Sequence, residues 1–137
     1  MLIEEALIKF LLAQTFVTTY LTSSDDTKRL YPVIAPQNVT APYIVVFKVD
    51  GPRDHSHEGS SHLANPRFQL SIYSTTYAEA KAIAAAVQAV LEGYTGTMGG
   101  AGGVDVNGVF YENETDLYEE ETKLFHVAVD YKMWHRE

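Results

Sequence analysis

Apolar and polar residues alternate along the C-terminal third of this chain. Phe125, Val127, Val129, Tyr131 and Met133 fall on one side of an extended backbone, and His126, Asp130 and Lys132 fall on the other. A period of two over this length predicts an antiparallel strand with one buried face. Upstream, Asn107-Gly108 between Val104–Val106 and Val109–Tyr111 predicts a turn, and the acidic run over 112–121 a solvated hairpin. Near the start the period changes. Leu2, Ile3, Ala6, Leu7, Phe10 and Leu11 recur at helical spacing, with Glu4 and Glu5 in the first turn, where the helix dipole favours them. A helix is expected over about 2–15. Residues 18–28 read as loop, because Ser23-Ser24-Asp25-Asp26 favours turns.

The β-branched and aromatic run Tyr43–Val49 predicts a largely buried strand, and Arg67–Tyr73 alternates with Phe68, Leu70 and Ile72 inward. Between them, residues 50–65 read as a long polar loop or a hairpin tip. Thr76-Tyr77-Ala78-Glu79 is a capping box. The helix behind it buries Tyr77, Ala80, Ile83, Ala84, Val87, Val90 and Leu91, and Gly93 supplies its stop. The Gly-rich, uncharged stretch 96–103 reads as a flexible link. The fold class expected is α+β, a single domain over 1–137: a mainly antiparallel sheet of about four strands, with two helices packed on one face.

Composition narrows the function. The 137 residues suit one domain with a real core, and a hydrophobic share of 46% excludes global disorder. Charged residues are only 20%, below the usual quarter, which leaves neutral or apolar surface of the kind an oligomer interface uses. There is no Cys, so disulfides and thiolate metal sites are excluded. No signal peptide and no membrane-spanning run is expected. A net charge of -8 argues against binding to a phosphate backbone, which needs clustered Lys and Arg.

Candidate chemistry is sparse. Asp54, His55, His57, Glu58 and His62 are metal ligands by type, but Gly, Ser and Pro around them leave the set unpreorganised. The glycines of 99–103 lack the Lys-Ser/Thr ending of a phosphate loop. The run holding Glu112, Glu114, Asp116, Glu119, Glu120 and Glu121 lacks calcium-loop spacing. No nucleophile elbow is present. No enzyme and no cofactor are expected.

Several stretches, taken in order, resemble the tail-completion family of long-tailed phages, the head-to-tail joining and tail-terminator proteins. They are Ile3-Glu4-Glu5-Ala6-Leu7, Arg29-Leu30-Tyr31-Pro32, Ala41-Pro42-Tyr43-Ile44-Val45, Arg67 through Tyr73, Thr76-Tyr77-Ala78-Glu79-Ala80, and Thr115-Asp116-Leu117-Tyr118 leading into Phe125 through Tyr131. The resemblance covers nearly the whole chain. It implies a structural virion protein that forms a ring, commonly a hexamer, between the tail tube protein and the head connector. It implies no catalytic residues, residence in the virion after assembly in the host cytoplasm, and a loop between the first two strands that orders on assembly. Here that loop would contain Asp54, His55, His57, Glu58 and His62. In such a ring the acidic residues Glu112, Glu114, Asp116, Glu119, Glu120 and Glu121 are candidates to face the channel, where DNA passes without specific binding. The alternative is a small metal-binding module or metal-dependent enzyme using the His-rich loop 54–62.

Overall fold

The computed structural model describes residues 1–22, 27–50, 53–56 and 59–136, and of residues 50, 53–56 and 59–62 the backbone alone. Among these lie three helices and eight strands: α1 (Ile3–Leu12), α2 (Thr15–Leu21), β1 (Leu30–Pro32), β2 (Tyr43–Asp50), β3 (Arg53–Ser56), β4 (Gly59–Ala64), β5 (Arg67–Ser74), α3 (Tyr77–Leu91), β6 (Gly96–Met98), β7 (Val104–Glu119) and β8 (Leu124–Arg136). The fold is α+β, with more elements than the expected four strands and two helices.

Two long antiparallel hairpins build the sheet. In the first, β2 pairs with β5 from Tyr43↔Tyr73 to Asp50↔Arg67, and β3 continues the same ladder onto β4 up to Ser56↔Gly59. In the second, β7 pairs with β8 from Val106↔His135 to Glu119↔Leu124. β8 joins the two through β5, and its last residues meet β4. β1 lies parallel to β2 at one edge, and β6 lies on β7 at the other.

All three helices contribute to one core on one sheet face. It holds Leu7 and Leu11 of α1, Val17 and Leu21 of α2, and Ile83 and Val87 of α3. They pack with Ile44, Phe68, Leu70, Ile72, Val127, Val129, Tyr131 and Met133 from the sheet. The alternations read from β5 and β8 therefore point as expected. The stripe of α3 is buried at Ala80, Ile83, Ala84, Val87 and Leu91, whereas Tyr77 stays at the surface. Thr76 Oγ1 accepts from Glu79 N at 3.2 Å, and Gly93 takes φ 75 just past the helix. The reciprocal half of the box is relayed: Thr76 N donates to Ser74 Oγ, which donates to Glu79 Oε1 at 2.6 Å.

Three expectations are corrected. The first helix, expected to run to about 15, ends at Leu12, and residues 15–21 form α2, which takes in the start of the loop expected over 18–28. Burial of Val17 and Leu21, one turn apart, overrides the weak helix propensity of its Thr residues. Of the interval 50–65, expected as a long loop or a hairpin tip, the described residues 53–56 and 59–64 are strands of the distal first hairpin, in line with the second alternative. Residues 96–103 are not a free link: β6 buries Met98, and a tight loop returns into β7. Asn107-Gly108 is no turn. Neither residue has the positive φ that a two-residue hairpin turn requires of both, and the register shifts there instead, as it does between Tyr111 and Asn113. Most of the acidic run is strand, and the chain reverses over 120–123, where Lys123 takes φ 59 and its N–H donates to Glu119 O at 2.8 Å.

Candidate assembly surface

The helices cover one face of the sheet; on the opposite face Val45, Ser71 and Ala128 are buried, while Tyr43, Tyr73 and His126 are only partly so. Cross-strand pairing fixes what stands there. Tyr43 lies opposite Tyr73, and Tyr73 opposite His126. Their rings stack in a row, with centroids 4.7 Å and 4.3 Å apart and both interplanar angles 18°. Burial is the larger influence on each ring: it raises both tyrosine hydroxyls above their ordinary value and lowers His126, with Glu119 opposing the shift of the histidine. Loop 33–42 skirts this row. With Val45, Phe47, Tyr73 and Leu124 it encloses an open cleft of about 690 Å³. Its lining mixes Val, Ile, Ala, Pro, Phe, Leu and Tyr with Asn38, Ser71, Thr75 and Thr122 and holds no charged side chain to activate a hydroxyl, so it offers contact area rather than chemistry.

The loop begins with an unusual turn. Ile34 N donates to Pro32 O at 2.7 Å, and Val33 between them has φ 66. A β-branched side chain rarely adopts that conformation. The turn leaves Val33 73% and Ile34 78% exposed. Neither was singled out from the sequence, although the uncharged run from Val33 to Pro36 is visible there.

The acidic candidates separate into two groups. Glu114 and Asp116 face α3. Lys81 Nζ donates to both, at 3.1 Å in the case of Asp116, and Tyr77 Oη donates to Asp116 Oδ2 at 2.7 Å. The hydrogen bonds from Tyr77 and then Lys81 hold the Asp116 carboxyl below its usual range, and Glu114 holds the Lys81 ammonium above its own. Glu119, Glu120 and Glu121 sit at the β7–β8 turn, where Glu119 accepts from Thr122 Oγ1 at 3.0 Å and lies 3.9 Å from His126 Nδ1. Glu112 is exposed on β7, where the register shifts. Neither Tyr77 nor Lys81 was read as a partner of this run, because the pairing crosses more than thirty residues of sequence, 33 from Lys81 to Glu114.

Of the candidate ligands in the polar interval, Asp54 and His55 lie on β3 and His62 on β4, while His57 and Glu58 fall outside the described residues. Among the described residues, no group of three His, Cys, Asp or Glu could hold a metal ion. No described helix is long and apolar enough to cross a membrane.

A comparison with curated proteins finds no match. Among solved structures, a chain in the virion of a native gene transfer agent (GTA) particle is similar, with a TM-score of 0.75 and 16% identity over 96% of this chain and 92% of that one. At that identity the likeness concerns the fold. Residues 5–136 match the family described as tail completion protein gp17. Since that match takes in every helix and strand in whole or in part, from α1 to β8, the chain belongs to the tail completion protein gp17 family.

Proposed function

We propose that this protein completes a phage tail by forming a ring, a hexamer, between the tail tube and the head connector. Family membership makes it a tail-completion protein of the virion. The ring reading is carried by one observation: both long edges of the sheet expose apolar side chains, Val33 and Ile34 at one and Leu117 and Tyr118 at the other. Paired exposed apolar side chains at each edge are the kind of surface that a protein partner covers. The role is contact rather than catalysis. The partners are further copies of the chain, the tail tube protein and the connector, with DNA passing through. The hairpin tip carrying Asp54, His55 and His62 is the assembly element that meets a neighbour. Glu112, Glu119, Glu120 and Glu121, which make no ion pair with Lys or Arg among the described residues, are the stronger candidates to line the channel. Glu114 and Asp116 are partly neutralised by Lys81.

Native mass spectrometry and negative-stain imaging at rising concentration test this. Rings of six times the 15.3 kDa subunit are expected, and amide exchange in residues 50–65 should slow on assembly. A protein that stays monomeric at the highest concentrations, and is missing from purified tails, is not such a ring.

A further inference from the structure

The two long edges of the sheet are unlike in shape and opposite in charge. At the β1 edge, every charged residue from 27 to 49 is Lys or Arg; Lys28 and Lys48 are exposed, and Lys48 is paired with Glu4 Oε1 at 2.6 Å, which leaves Lys28 as the exposed cation with no carboxylate partner among the described residues. The same edge holds the turn at Val33. That turn is fixed rather than loose, because Val33 N also donates to Val46 O at 2.9 Å. A strained backbone held in place to present two aliphatic side chains to solvent is a feature that contact with a partner explains and the free subunit does not.

At the β7 edge, every charged residue from 104 to 122 is Asp or Glu. Beyond Tyr111 no described strand pairs with the outer side of β7. Beside it, Tyr77, Leu117, Tyr118 and Phe125 line a shallow apolar hollow of about 220 Å³, with Asp116 on its rim.

A closed ring requires a heterologous contact, in which one surface of each subunit meets a different surface of the next. Pairing β7 with β7 would set the carboxylates that Lys81 does not neutralise against each other, and pairing β1 with β1 would set Lys28 against Lys28. Only the unlike pairing joins opposite charges. We infer that the subunits associate head to tail through these edges: Val33 and Ile34 of one copy enter the Tyr77–Tyr118–Phe125 hollow of the next, and the Lys28 side faces the acidic side of β7. The occupant is a second copy because both complementary halves lie on one chain. This assignment rests on the ring reading above and adds which surfaces meet.

The chain has no Cys, so cross-linking is clean. Ile34→Cys and Leu117→Cys are introduced together in the full chain, oxidised at assembling concentration and run without reductant. Covalent multimers beyond the dimer, up to the closed ring and reversed by reductant, are expected, and each single variant should stop at the dimer. Rings by mass without multimers beyond those of the single variants would overturn the edge assignment and leave the ring standing. Monomers by mass without multimers would overturn both. Ile34→Asp gives a second measure. It should abolish rings while leaving the circular dichroism and melting temperature of the subunit unchanged, and rings that persist in it would overturn the assignment.

Discussion

At the residue scale, the glycines after β6 separate two kinds of constraint. Gly102 has φ 74 and open space where a Cβ would go, so its requirement is conformational. Gly103 has an ordinary φ, but a Cβ there would stand 2.1 Å from Met98 O, so its requirement is steric and set by backbone that cannot move aside. Gly103→Ala is therefore expected to cost about 1–3 kcal/mol, as other overpacked sites do. A thermal melt checks it, and an unchanged midpoint would mean the loop is not closed this tightly. In the sequence this stretch looks like slack, because Gly is read first as freedom. Its closeness to the Met98 carbonyl depends on a pairing with β7 that spacing does not reveal. By contrast, Phe68, Leu70, Ile72, Val127, Val129 and Met133 were legible one by one, since a strand with one buried face writes its burial directly as alternation.

At the scale of elements, long periodic segments were legible and short or polar ones were not. β1 and β6 are three residues each, too short to show a period, and they exist because a neighbouring strand offers them a ladder. The distal hairpin is polar, so nothing but continuation of the β2–β5 register marks it as strand. Asn107-Gly108 misled for a definite reason: the pair suits a turn, but the apolar positions Val106, Val109 and Tyr131 all seek the same core, and a bulge satisfies them without a reversal. The clamp of α3 on β7 yields a prediction of its own. Asp116 has its folded pKa depressed below the ordinary 3.8 by Tyr77 and Lys81. Its contribution is therefore present above 3.8 and lost as the pH falls through the folded value. These groups are largely exposed, so screening keeps the effect small. Asp116→Asn should lower the melting midpoint by about 1–4 °C at neutral pH and low salt, and by less as acid is added. Equal midpoints for the two proteins at neutral pH would show that the clamp contributes nothing.

At the scale of the whole molecule, what was legible is the layering, α+β with the helices on one face, because each amphipathic element names its buried side. What was not legible is which open surface serves which partner, since an interface in a larger assembly and a solvated face have similar composition. The acidic tip at Glu119, Glu120 and Glu121 poses that question most directly. A strand edge can be blunted by carboxylates simply to stay soluble, but these three stand at the end of the longest hairpin, Glu119 in its last pair and Glu120 and Glu121 in the turn, with Thr122 and His126 beside Glu119. If the tip lines a channel, its negative potential lets DNA move without adhering, and reversing its sign creates the counterion-releasing contacts that hold a phosphate backbone. Changing the three together to Lys is then expected to leave rings and tails assembled but to slow DNA delivery, with the defect relieved as ionic strength rises. The measurements are particle counts by microscopy and the rate of DNA release at two salt concentrations. Normal release from normal particles would place the tip on the outer surface, and rings that no longer form would place it in the contact between subunits.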